Sequence, residues 1–135
     1  MNNKDIPMVS VCMITYNHEA YIAQAIEGVL TQKTNFPIEL IIGEDCSTDN
    51  TREICIEYKK KYPEVIKLKL RENNLGVIGN FIQTLHEAKS KYFALPLFFL
   101  LSVVHFLTLF ECNLFVLFRF VPAPLLHLYN FFFLS

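Results

Sequence analysis

Two adjacent carboxylates, Glu44 and Asp45, stand where an apolar run ends, in the stretch GEDCSTDNT at residues 43–51 directly after IELII. An ionised carboxylate accepts several hydrogen bonds, and bonds that carry a charge are the stronger ones. Such a group suits a vicinal diol, or the imide N–H of a nucleobase with a neighbouring donor. Ser47 and Thr48 make the turn that follows, and Asn50 with Glu53 has the spacing of a capping box at a helix start. A loop of similar character, ITYNHEAY at residues 14–21, leaves an earlier apolar run and offers Thr15, Tyr16 and Asn17, the last also suited to cap a helix. A third loop, NNLG at residues 73–76, brings Gly76, whose missing Cβ allows positive φ and close approach of backbone to ligand, with Asn80 four residues on. Plainer readings exist. The two carboxylates are each stabilised by about 0.3–1 kcal/mol as first-turn helix residues, Gly76 serves any tight turn, and His18 and Glu19 read as solvated. The ordered set of three loops favours binding.

The elements that must position these loops alternate strand and helix. Met8 to Thr15 is apolar and β-branched, as a parallel strand covered on both faces must be. Tyr21, Ile22, Ala25, Ile26, Val29 and Leu30 recur at helical spacing. Ile38 to Gly43 reads as the second strand, and a helix from near Asn50 turns Ile54, Cys55, Tyr58 and Tyr62 inward, with Pro63 beyond its end. Val65 to Leu70 is a third strand. Val77, Ile78, Phe81, Ile82, Leu85 and Ala88 mark the apolar face of a third helix, and Lys91 to Leu95 opens a fourth strand. Short joins between alternating units predict an α/β fold: a Rossmann-like, doubly wound parallel sheet. In such sheets ligands bind outside the carboxyl ends of the strands, which is where all three loops fall.

The series TYN, then E-D-x-S-T-D, then N-L-G-x-x-x-N, each on an expected strand end or turn, resembles the nucleotide-binding head of the family 2 glycosyltransferases of GT-A fold. The resemblance covers about the first 94 residues, so the GT-A fold it implies is incomplete. It implies sugar transfer from a UDP- or GDP-linked donor to a saccharide or lipid-linked acceptor hydroxyl in the complete enzyme, by analogy in bacterial surface polysaccharide synthesis. It places the nucleoside against Thr15, Tyr16 and Asn17, with Asp45 on the base, Glu44 on the ribose or in support, and Gly76 and Asn80 near the diphosphate. Many members carry an arginine before the asparagine, where this chain has Gly79. The family's metal, Mg²⁺ or Mn²⁺, is held by an acidic cluster at the end of the fourth strand. Here no aspartate follows Asp49, and Glu111 is the one carboxylate side chain beyond the expected fourth strand. No catalytic residue or metal ligand is therefore expected in this chain, nor turnover by it alone. A non-catalytic, membrane-attached nucleotide-binding remnant or interaction module is the alternative reading. A nucleotidyltransferase ranks last, for want of a glycine-rich phosphate loop with lysine or arginine.

Composition divides the chain. The 135 residues carry a net charge of −1, with no basic face for nucleic acid. Residues 95–135 hold ten of the thirteen phenylalanines and two formal charges, Glu111 and Arg119. This apolar tail is expected to be either an out-of-frame translation, the favoured reading, or a membrane element at Phe93 to Phe110 preceded by Lys89 and Lys91. The head, with its remaining strands missing, is expected to leave the fourth or an earlier strand as an open edge. The four cysteines, Cys12, Cys46, Cys55 and Cys112, lack ligand spacing and suit reduced thiols in the cytoplasm. The N-terminus has no apolar run that would make a secretory signal.

Overall fold

The computed structural model describes residues 7–96 and 115–119. Strand β1 (Val9–Thr15) leads to helix α1 (Ile22–Leu30), β2 (Ile38–Glu44) to α2 (Thr51–Lys61), and β3 (Ile66–Leu70) to α3 (Gly76–His86) and β4 (Tyr92–Pro96). The four strands are parallel in the order β3-β2-β1-β4, the alternating α/β architecture that the short joins predict. A fifth strand, β5 (Phe115–Arg119), lies antiparallel to β4 with Pro96 opposite Phe115. Among the described residues β4 is therefore flanked on both sides, and β3 is the earlier strand left at an edge. Lys67 and Lys69 alternate along it, paired with Glu39 and Glu87, and charges of this kind discourage edge-to-edge pairing.

The expected membrane segment at 93–110 is corrected at its start, because residues 93–96 lie in β4 with Ala94 and Leu95 buried. Its remainder, and most of the tail, fall outside the described residues. No helix among the described residues is long and apolar enough to cross a membrane.

Alternation along the strands divides the interior between the two faces of the sheet. Val9, Val11 and Met13 of β1, Leu40 and Ile42 of β2, and Ile66 pack with Ile22, Ile26 and Val29 of α1 and Cys55 of α2. Each such aliphatic side chain contributes about 1.5–3 kcal/mol by leaving water. Tyr58 of α2 donates from its hydroxyl to Glu27 Oε1 of α1 (2.9 Å), tying the two helices together. On the other face, Cys12, Ile41, Ala88 and Leu95 pack with Phe81 and Leu85 of α3.

Helix α3 is rotated from its predicted setting. Val77, Ile78 and Ile82 are exposed, and the polar pair Asn80 and Thr84 faces the sheet. Gly43 of β2 supplies the reason. A Cβ there would lie 2.0 Å from Thr84 Oγ1 and 2.6 Å from Asn80 Oδ1, so only glycine lets α3 approach this closely. Asn80 Nδ2 uses the approach to donate to the Gly43 carbonyl oxygen at 2.8 Å.

Candidate functional site

Register carries three chain exits to one edge of the sheet. Thr15 is paired with Glu44, and Glu44 with Leu70, so β1, β2 and β3 end side by side. The β1 and β2 exits are joined through the backbone, where the Asp45 N–H donates to the Thr15 carbonyl oxygen (3.0 Å).

The first two loops are then laced together. Asn17 takes a left-handed backbone (φ 53°), a region Asn tolerates better than most residues. From there its Oδ1 accepts the Thr48 N–H at 2.8 Å, while its own N–H donates to Ser47 Oγ at 3.0 Å. Asn17 is therefore not the cap of α1, which begins five residues later. The His18 N–H donates to Thr51 Oγ1 (2.8 Å) and the Glu19 N–H to Asp49 Oδ2 (3.1 Å), with Glu19 Oε2 accepting the Asn50 N–H in return (3.0 Å). The capping box expected from Asn50 and Glu53 does not form. Asp49 Oδ1 instead accepts the Thr51 N–H at 2.9 Å at the start of α2. Partial desolvation pushes the Asp49 carboxyl up, but the bonds from Thr51 and Glu19 outweigh it and hold the group below its ordinary 3.8.

The two carboxylates that end β2 have different surroundings. Glu44 is fully buried, and both its oxygens are taken: Oε1 accepts the Ser47 N–H at 2.6 Å, and Oε2 faces Arg52 Nε at 2.5 Å. Asp45 is 2 % exposed and uses Oδ1 to accept the Leu75 N–H at 2.8 Å. Among the described residues its Oδ2 has no hydrogen-bond partner. Directly after them Cys46 turns the chain with φ 62°, its thiol 3.5 Å from the Glu72 carbonyl oxygen.

The third loop closes the site. Gly76 has φ 72°, as its place in the turn requires, and its N–H donates to Asn74 Oδ1 at 2.9 Å. Asn80 is buried, with Oδ1 accepting from Arg71 Nε at 3.1 Å. The structure thus brings Thr15, Tyr16, Asn17, Glu44, Asp45 and Gly76 to one edge, and sets Asn80 one turn into α3 beneath it. Tyr16 is 42 % exposed, and Asn17 and Gly76 are also open to solvent. Arg52 and Arg71 were not singled out by sequence reasoning. Arg52 lies one residue into α2, where a basic side chain reads as solvated until the strand exit beneath it is known.

Among the described residues no group of three His, Cys, Asp or Glu side chains is placed to hold a metal ion. The described residues do not fit the family's divalent cation. An apolar depression lined by Val9, Val11, Val29, Phe36, Ile38 and Ala94, with Gln32 and Thr34, lies toward the opposite end of β1 and offers little to a charged ligand.

Comparison with known proteins agrees with the fold. The family model described as Glycosyl transferase family 2 matches residues 10–96. The Mycobacterium tuberculosis protein Rv1520 is 44 % identical over 87 residues, which cover 64 % of this chain and 25 % of that one. Staphylococcus aureus TarS (residues 1–349), solved in complex with UDP, superposes with a TM-score of 0.54 at 29 % identity, over 65 % of this chain and 26 % of that one. The mannosyltransferase PcManGT from Pyrobaculum calidifontis, solved with GDP-Man and Mn²⁺, shares the fold with a TM-score of 0.58 at 20 % identity, over 66 % and 26 % of the two chains. The chain spans about a quarter of the length of each of these three relatives.

Proposed function

This chain belongs to glycosyl transferase family 2, and we propose that its part in sugar transfer is to hold the nucleoside diphosphate of a UDP- or GDP-linked donor at the carboxyl ends of β1 and β2. The observation that carries this reading is the contrast at Asp45. One of its carboxylate oxygens is held by the Leu75 N–H, and the other has no partner among the described residues at the junction of three loops. A carboxylate so fixed suits the imide N–H of uracil or the N1–H and amino group of guanine, through charge-assisted bonds. Tyr16, half exposed beside it, offers a face to the base or ribose, and the open turn at Gly76 lets backbone amides approach the diphosphate. Glu44, with both oxygens engaged, supports the loop and does not touch the ligand. Asn80 does the same from below through the Gly43 carbonyl.

That TarS, 29 % identical, was solved in complex with UDP supports a nucleotide as the ligand. In the reaction an acceptor hydroxyl attacks the anomeric carbon and the nucleoside diphosphate leaves. What these residues do is bind and orient the nucleoside, so that the sugar is presented beyond the strand ends.

Titration of UDP and of GDP into the full chain tests the proposal. Saturable binding of one of them is expected. Asp45→Asn should weaken it roughly tenfold to a hundredfold, the loss of a charged hydrogen bond worth about 1.5–3 kcal/mol, with the melting temperature close to that of the parent. No saturable binding, or equal affinity of Asp45→Asn and parent, would refute it.

A further inference from the structure

Behind the nucleotide loops runs a chain of bonds that ends on Asp45. Glu44 Oε1 holds the Ser47 amide (2.6 Å) and its Oε2 meets Arg52 Nε (2.5 Å). The same guanidinium donates from Nη2 to the carbonyl oxygen of Arg71 at 2.6 Å. Arg71 is the first residue beyond β3, and its N–H donates to the Glu44 carbonyl oxygen (2.9 Å). Its side chain continues the series into α3, with Nε on Asn80 Oδ1 (3.1 Å) and Nη2 on Thr84 Oγ1 (3.2 Å). The Glu72–Gly76 turn hangs between the two ends that Arg71 fastens, and from that turn the Leu75 N–H reaches Asp45 Oδ1 at 2.8 Å.

We infer that Arg52 is a positioning residue for the nucleotide site: by bridging Glu44 and the Arg71 carbonyl it sets the β3–α3 turn, and through Leu75 the orientation of the Asp45 carboxylate. The inference rests on the donor-site reading above. A planar fork is needed, because one guanidinium satisfies two acceptors on two different strand exits. Lysine, a single point charge, keeps the neutralisation of buried Glu44 but reaches only one of them. Arg52 is itself partly exposed, with 29 % of its side chain accessible, so a purely electrostatic role would be one that solvent and lysine largely reproduce.

The test is Arg52→Lys in the full chain, read by hydrogen exchange at the Leu75 amide and by UDP and GDP titration. Protection at Leu75 is expected to fall at least tenfold while the Leu40 and Ile42 amides keep theirs. Affinity should fall by about the same factor. The double variant Asp45→Asn/Arg52→Lys should bind no more weakly than Asp45→Asn alone, since Arg52 acts through that carboxylate. Independent, additive losses would overturn the inference, as would unchanged Leu75 protection. Should Arg52→Lys not fold, Arg52→Gln, which keeps a donor for Glu44, carries the same measurements. If the parent binds neither nucleotide, the donor-site reading fails by itself, and Leu75 protection still decides whether Arg52 sets the turn.

Discussion

At the scale of single residues, chemistry at the strand ends is decided by which atoms are already engaged. Glu44 and Asp45 read alike in sequence, yet one is sealed under Arg52 and Ser47 and the other keeps a carboxylate oxygen without a hydrogen-bond partner among the described residues. The three described thiols sort themselves in the same way. Burial, helped by the Glu39 charge, pushes Cys12 up to about 12, and burial with the Glu44 charge does the same for Cys55. Only the thiolate is nucleophilic, so both are inert at neutral pH. Cys46 is half-buried in the turn between Asp45 and Ser47. Mild alkylation of the folded chain at pH 8, mapped by peptide mass spectrometry, should label Cys46 and spare Cys12 and Cys55, and UDP or GDP should slow the labelling. Rapid modification of Cys12 or Cys55 in the folded chain would contradict the packing described.

At the scale of elements, strand and helix order was legible in sequence, because buried parallel strands and amphipathic helices have different periods. The settings of the ends were not. Asn17 has the composition of a helix cap, but its partner, the Thr48 amide, is 31 residues away, and no local pattern encodes that. Of the apolar residues counted for the third helix, Phe81, Leu85 and Ala88 pack inward, and Val77, Ile78 and Ile82 are exposed. The winning face is Asn80 and Thr84, because Gly43 on β2 leaves room for them, and that match lies across two elements. Gly43→Ala should therefore destabilise the chain by about 1–3 kcal/mol, the usual range for overpacking, measured as a lower denaturant midpoint. An unchanged midpoint would mean that α3 does not approach β2 this closely.

The seam between the first two loops has its own pH signature. The folded Asp49 carboxyl lies below its ordinary 3.8, so its contribution to stability is present above that value and is lost as pH falls through the folded value. Melting temperatures taken from about pH 5 down to pH 3 should drop less steeply in Asp49→Asn than in the parent. Parallel acid limbs would show that the seam does not depend on this charge.

At the scale of the whole molecule, the fold consists of three crossings that deliver three loops to one edge, with β3 at the margin carrying Lys67 and Lys69. Family membership was legible because its motifs are local and stand in a fixed order. The supporting arginines were not, because Arg52 and Arg71 gain meaning only once β2, β3 and α3 are side by side. The same topology leaves Met13 to Thr15 and Ile42 to Asp45 adjacent at one end of the sheet and Val9 and Ile38 at the other, so a ligand at the strand exits should leave the far end undisturbed.

The central claim is that a nucleoside diphosphate sits on these three exits, and amide chemical-shift mapping of the full chain with added UDP or GDP tests it most directly. The account predicts shifts concentrated at residues 15–17, 45–48 and 75–76, with Val9, Ile38 and Phe36 unmoved. Shifts centred on the apolar depression at the opposite end, or none at saturating nucleotide, would contradict it.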